Sequence, residues 1–334
     1  MAIRSFPTVS YAEILAGTVS PEEILDTLAA TGYFYLSDLD QAISPQLLKS
    51  LQGVSEKFFD LPAESKMQYY IGDSDNHRGY VPVTEQGAYG DESIRTYEAF
   101  DLGYDCDPLP AADSLGFELV GPNRYPGEVA GMTETLRAYY GANFEISRQL
   151  LRLIARGSGL DPDHFEPRIT RPASQLRLIH YLPNDVLLGR DDTSMGAHTD
   201  YELFTLIHQT SPGLLAYDRE TRTWHNMPVF KDTVLVLVGD MLQFLTGGRL
   251  KSLLHRVVTT GEERFSFPFF MNLDFETELG VLPHFGHSDE KVVVGHHLLG
   301  QLYRDFPYIK ERIDSGKWLV DFDIPDSNVF EHQN

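Results

Sequence analysis

Hydrophobic positions along this chain change their period as the sequence proceeds. Between residues 20 and 68, and again between 128 and 156, they recur every three or four residues, as on one face of a helix. Between 175 and 273 they alternate or run on continuously in short blocks, as in strands. Ser20-Pro21-Glu22-Glu23 has the form of a capping box with proline at the first helical position, and Gly32 ends that helix. Tyr33-Phe34-Tyr35-Leu36 then reads as a strand. Ser44-Pro45 opens a second helix carrying Leu47, Leu48, Leu51, Val54 and Phe58, and a short third spans 62–68. The longest helix, 128–156, carries a broad apolar stripe of Leu136, Tyr139, Tyr140, Phe144, Leu150, Leu151 and Ile154.

Strands dominate after that. Expected are 175–181, one strand running from His198-Thr199-Asp200 through 203–207, then 214–217, 233–238 and 265–273. A final helix, 295–313, carries Leu298, Leu299, Leu302, Phe306 and Ile309. Short, evenly spaced strands with Gly and Pro punctuation predict a sandwich or barrel, so the fold class is mainly β with flanking α-helices. Without repeats or linkers, residues 1–334 read as one domain. Its parts are N-terminal helices and a polar segment (1–125), a scaffold helix (126–160), a strand core (175–275), and a C-terminal helix and tail (290–334).

Charge narrows the class. A net charge of −22, from 27 basic and 49 acidic residues, repels phosphate backbones and anionic lipid, which disfavours nucleic-acid or membrane partners. No run approaches the ~20 apolar residues of a membrane span. The one cysteine, Cys106, excludes an intramolecular disulfide and fits a reducing compartment, so a soluble, cytoplasmic protein is expected. Its acidic neighbours, Asp105 and Asp107, give no reason for a reactive thiol.

The chemistry is concentrated between 195 and 266. On a strand, His198 and Asp200 share a face, because side chains alternate. With His255 as a third ligand, two imidazoles and a carboxylate hold a metal on one side and leave its other positions open. That donor set, with open sites, favours Fe(II) over Zn(II). Arg264 and Ser266 form another period-2 pair, set among Phe265, Phe267, Phe269 and Phe270. A guanidinium in such company needs a partner, and a carboxylate gripped by the Arg264 fork and the Ser266 hydroxyl would serve. Around His208, His225, His284, His287, His296 and His297 no such ordered motif stands, so they read as solvated or structural. Asp240 reads as a turn residue, and Gln243 and Lys251 as structural.

The ordered set His198-x-Asp200, 54 intervening residues, His255, then Arg264-x-Ser266 resembles the Fe(II)/2-oxoglutarate-dependent dioxygenases, in the isopenicillin N synthase-like branch. Gly196-Ala197-His198-Thr199-Asp200-Tyr201, Gly239-Asp240-Met241-Leu242-Gln243 and Thr246-Gly247-Gly248-Arg249-Leu250-Lys251-Ser252 are similar to the family's wording, with local similarity to bacterial ethylene-forming enzymes. The resemblance implies a double-stranded β-helix, or jelly roll, with Fe(II), 2-oxoglutarate and O₂ as cofactor and cosubstrates. Arg264 and Ser266 would hold the far carboxylate of 2-oxoglutarate, with Tyr181 as a third contact. Here the chain reads Ile179-His180-Tyr181-Leu182-Pro183 where many plant relatives read Asn-Tyr-Tyr-Pro. Residues expected at the substrate end are Arg78, Tyr80, Tyr97, Arg177, Phe204 and Phe269, with the loop between Pro183 and Met195. The implied reaction couples decarboxylation of 2-oxoglutarate to succinate and CO₂ with C–H oxidation of a small molecule, amino-acid-derived or a secondary metabolite. Three alternatives are a 2-oxoglutarate-independent oxidase of the isopenicillin N synthase kind, ethylene-forming fragmentation of 2-oxoglutarate, and a non-catalytic jelly-roll binding protein.

Overall fold

A computed structural model describes residues 6–83, 97–108, 119–183, 193–324 and 328. In chain order the N-terminal part contains β1 (Thr8–Ser10), α1 (Tyr11–Ala16), α2 (Pro21–Thr31), β2 (Tyr33–Ser37), α3 (Pro45–Phe59), α4 (Ala63–Met67), β3 (Gly79–Val81) and β4 (Tyr97–Gly103). The scaffold helix α5 (Met132–Gly157) follows, then β5 (Gln175–Tyr181), β6 (Thr193–His198), β7 (Phe204–Gln209), β8 (Leu214–Asp218), β9 (Thr223–Asn226) and β10 (Val234–Val238). The chain continues through α6 (Asp240–Leu245), β11 (His255–Val258), β12 (Arg264–Met271), β13 (Glu278–Leu279), β14 (Val292–Val293), α7 (Val294–Asp305) and α8 (Pro307–Asp314).

Helix starts follow the sequence closely. Ser20 and Ser44 each accept a hydrogen bond from the backbone N–H three residues on, with proline at the first helical position. The long helix begins at Met132 rather than 128, after Gly131 in the left-handed conformation (φ 80°).

Two sheets enclose the site. The large one runs β1-β2-β10-β7-β12-β5-β4-β3 and the small one β6-β11-β8-β9. One face of the large sheet carries the helices: Tyr139 and Tyr140 of α5 meet Phe267 and Phe269 of β12 edge-on, at ring separations of 6.4 and 5.0 Å. The other face, with the small sheet, bounds a cavity of about 860 Å³ including its open mouth. Alternation assigns the faces: Arg264, Ser266, Pro268 and Phe270 of β12 line the cavity, while Phe265, Phe267 and Phe269 pack in the helix-side core. Along β5 the cavity residues are Gln175, Arg177, Ile179 and Tyr181.

One expected strand is interrupted. Residues 198–207 do not form a continuous strand: β6 ends at His198 in the small sheet and β7 begins at Phe204 in the large one. The chain crosses between sheets at 199–203, and Asp200 lies in that crossing. Among the described residues, no helix is long and apolar enough to cross a membrane.

Candidate metal centre and active site

His198 and His255 stand directly opposite each other in the antiparallel β6–β11 pair. Each Nδ1 faces a backbone carbonyl, Gly196 O at 2.8 Å and Leu253 O at 2.9 Å. A carbonyl accepts only from an N–H, so Nδ1 carries the proton in both rings and Nε2 keeps its lone pair for a metal. Both Nε2 atoms point at Asp200 Oδ1, from 3.8 and 3.7 Å. The three ligand atoms lie within 4.8 Å of one another, close enough for one ion to reach all of them. Burial, with His255 alongside, holds His198 well below the usual imidazole range and hence neutral.

Asp200 reaches this point through its loop rather than through strand alternation. Thr205 Oγ1 donates to Asp200 Oδ2, which leaves Oδ1 for the imidazole side. The start of α6 supports the crossing from beneath. Gly239 N donates to Leu203 O (2.9 Å), Asp240 N to Asp200 O (2.9 Å) and Met241 N to Glu202 O (3.1 Å). This approach requires glycine at 239, since a Cβ there would stand 2.3 Å from Glu202 O.

Asp240 does more than form a turn. It is fully buried, accepts from Asn328 Nδ2 at 2.8 Å, and is pushed up to about 6 by burial. Gln243 has the structural role expected, because its Oε1 accepts from Ser252 N at 2.9 Å and steadies the approach to His255.

At the Tyr181 end of β5 the cavity is lined by Arg264, 2 % exposed. Nε donates to Ser211 O (3.1 Å) and Nη2 to Gln209 Oε1 (3.0 Å), and the guanidinium carbon sits 4.5 Å from the Tyr181 ring centre. Nη1 is buried without a hydrogen-bond partner. Burial disfavours the charge, so the orphaned N–H calls for an anionic acceptor. Ser266 lines the cavity next along the same face. A carboxylate entering here would meet the donor arrangement that 2-oxoglutarate requires.

The other end has a different lining. Arg177 donates through Nε and Nη2 to Asp101 at 2.7 and 2.6 Å, a bidentate pair behind the cavity wall. Gln175, Glu202, Asp305 and Phe306 border the same space, whereas Tyr97 pairs with Tyr181 and lies on the Arg264 side, the two rings 5.5 Å apart. Tyr201 donates to Asp305 Oδ2 at 2.5 Å, which ties α7 to the loop that carries Asp200. Burial and the neighbouring Asp200 carboxylate push Glu202 up to about 8.

The structure thus gathers His198, Asp200, His255, Arg264, Ser266, Tyr181, Arg177 and Tyr97 around one cavity. Four expected pocket residues are corrected. Phe204 and Phe269 belong to the helix-side core, because they have the opposite strand parity. Tyr80 lies in that core too, its hydroxyl donating to Glu98 at 2.5 Å. Arg78 is fully buried away from the cavity lining, donating to His77 O (3.0 Å) and Leu119 O (2.6 Å). The loop between Pro183 and Met195 falls largely outside the described residues. Gln209, Gln175, Glu202 and Asp305 were not anticipated. For Gln209 and Gln175 the only signal was their parity with Ile207 and Arg177.

A barrel-like fold around a two-histidine, one-carboxylate centre with a buried arginine beyond it defines a metal-dependent oxygenase site. Residues 172–273 match the model of the 2OG-Fe(II) oxygenase superfamily, and 17–128 match that of the non-haem dioxygenase in morphine synthesis N-terminal region. The 2-oxoglutarate-dependent dioxygenase citB of Monascus ruber is 31% identical over 295 residues, covering 83% of this chain and 87% of that protein. Homoarginine-6-hydroxylase 2-ODD-233 of Oryza sativa subsp. japonica is 30% identical over 300 residues, covering 84% and 88%. The crystal structure of a putative 2OG-Fe(II) oxygenase family protein from Caulobacter crescentus superposes with a TM-score of 0.74 at 26% identity, covering 89% of this chain and 98% of that one. The chain belongs to the 2OG-Fe(II) oxygenase superfamily. It is an Fe(II)- and 2-oxoglutarate-dependent dioxygenase acting on a small molecule, with a jelly-roll core.

Proposed function

We propose that this single oxygenase domain hydroxylates a C–H bond of a small organic substrate in the cytoplasm. In this reading His198, Asp200 and His255 hold the iron, and Arg264, Ser266 and Tyr181 bind 2-oxoglutarate. The observation that carries the assignment is the alignment of two features in one cavity. Two Nε2 lone pairs converge on Asp200 Oδ1, and Arg264, whose Nη1 is buried without a hydrogen-bond partner, lines the same cavity. Bound iron supplies the activation of O₂ that C–H oxidation needs.

The chain's own residues supply position and dryness. The Gly196 and Leu253 carbonyls fix the imidazole tautomers, and Thr205 fixes which carboxylate oxygen of Asp200 faces the histidines. Arg264 neutralises the far carboxylate of 2-oxoglutarate, and Gln209 and Ser211 hold its fork in plane. Ile179, Ile207, Leu214 and Val257 exclude water around the bound chain. Arg177 and Phe306 border the end left for the substrate, and Tyr97, against Tyr181, borders the side nearer Arg264.

Anaerobic addition of 2-oxoglutarate to the Fe(II) protein is expected to give the weak visible band of the chelate, and Arg264→Ala is expected to weaken or abolish it. Iron bound without a band in the wild type would refute the assignment and favour the oxidase reading.

A further inference from the structure

At the substrate end, two buried polar side chains line the wall: Gln175, whose amide Nε2 lacks a hydrogen-bond partner, and Glu202, whose carboxyl, among the described residues, accepts only from the backbone at Tyr201 and its own N–H. Gln175 is 7 % exposed, lines the cavity, and has no hydrogen-bond partner for Nε2. Glu202 is 4 % exposed and lines the same cavity, and among the described residues no arginine, lysine or histidine is paired with it. Arg177, the cation bordering this end, is matched by Asp101 in a bidentate pair. A buried amide donor left unmatched costs free energy that a bound molecule can recover, and a buried carboxyl without a cationic partner is a seat for a positively charged group.

Their location ties them to the reaction. Gln175 pairs with Phe270 of β12, and Phe270 pairs with Thr205 of β7, whose hydroxyl bonds Asp200. Glu202 follows the ligand Asp200 by two residues. Both therefore lie on the metal's side of the cavity, at the opposite end of β5 from Tyr181 and hence from Arg264. Phe270 and Pro268 give that end an apolar surface between the polar groups.

We infer that Gln175 and Glu202 are specificity-determining residues that select a substrate with a cationic nitrogen, received by Glu202, and a hydrogen-bond acceptor, met by the Gln175 amide. This rests on the oxygenase reading above and adds the chemical class of the substrate. An apolar chain spanning the two polar groups would lie along Phe270, bringing a methylene toward the metal.

The test uses full-length protein loaded with Mn(II) and 2-oxoglutarate, which binds without turnover. Calorimetric titrations with L-homoarginine, its neutral near-isostere L-homocitrulline, and hexanoate read the selectivity. L-Homoarginine is expected to bind at least tenfold more tightly than L-homocitrulline, with hexanoate weakest. Glu202→Gln should erase the preference for the cation, and Gln175→Leu should weaken both amino acids by a similar factor. Equal binding of the first two ligands, a preference that survives Glu202→Gln, or no binding of L-homoarginine to protein that holds 2-oxoglutarate would each overturn the inference alone. Failure of wild-type protein to bind 2-oxoglutarate would overturn the parent reading and this one with it. The wild-type comparison decides even where a variant does not fold.

Discussion

Replacing Gly239 with alanine tests whether the Asp200 loop is positioned from beneath. The backbone there is extended (φ −103°, ψ 176°), a region open to any residue, so the conformation itself costs alanine nothing. Space is the obstacle. A Cβ would meet Glu202 O at 2.3 Å, Glu202 C at 3.0 Å and Asp200 O at 3.2 Å, whereas ordinary contact begins near 3.4 Å. The loop must therefore retreat by about 1 Å, and all three neighbours are backbone atoms that cannot swing aside. Overpacking of this kind costs ~1–3 kcal/mol. The three hydrogen bonds from α6 to the loop lengthen with it, and Asp200 Oδ1 leaves the point where the imidazoles converge. Disturbance behind a metal ligand typically lowers affinity about ten- to hundredfold. The measurement pairs a thermal melt with Mn(II) titration of Gly239→Ala, using Gly53→Ala as control. Gly53 lies inside α3 with nothing within 4 Å, so alanine there should be neutral or add roughly 0.5–1 kcal/mol. Wild-type metal affinity and melting temperature in Gly239→Ala would refute the mechanism.

Three further outcomes are expected. Arg264→Lys keeps a cation but loses the planar fork that Gln209 and Ser211 hold, so 2-oxoglutarate affinity should fall roughly tenfold or more in calorimetry; undiminished binding would show that charge alone suffices. Asp101→Ala removes the bidentate partner of Arg177 where the two side chains are only 2 % and 15 % exposed, and should cost ~3–5 kcal/mol in urea unfolding; a loss below 1 kcal/mol would contradict that. Burial alone would raise the Glu98 carboxyl, but hydrogen bonds from His180, Lys66 and Tyr80 outweigh it and hold the group below its usual value. A depressed carboxyl contributes stability that is fully present above its unfolded value and is lost as pH falls through its lower folded value. Glu98→Gln should therefore flatten the acid limb of a stability–pH curve, and an unaltered limb would exclude this group as its source.

Much of the centre was legible because its chemistry sits at fixed spacings. His198, Asp200, His255, Arg264 and Ser266 are local patterns, and parity alone placed Arg264 and Ser266 on one face. Parity also explains the failures. Central strands such as Leu203-Phe204-Thr205-Leu206-Ile207 and Phe265 to Met271 are buried on both faces, so nearly every position is apolar and the sequence does not reveal which face meets the helices. Phe204 and Phe269 were therefore assigned to the wrong side. Arg78 was misread because arginine is rarely fully buried, and its acceptors are carbonyls distant in sequence or on the preceding residue. The crossing at 199–203 was hidden because an alternating pattern extends through it. The pairing of Glu202 and Gln175 across one cavity arises only when β7, β12 and β5 are laid side by side.

The crossing also determines how the ion bears on the molecule as a whole. Two ligands, His198 and His255, sit on neighbouring strands of the small sheet, while Asp200 is tethered by Thr205 and α6, which belong to the large-sheet side. A bound ion is thus a cross-link between two leaves that otherwise meet around a cavity. Occupancy should tighten that seam by RT ln(1 + [M]/Kd), about 2.7 kcal/mol at a hundredfold excess over Kd. Hydrogen exchange should register the tightening locally, as slower exchange in β6, β11 and residues 199–205. The outer strands β1 and β9 would be left as they were.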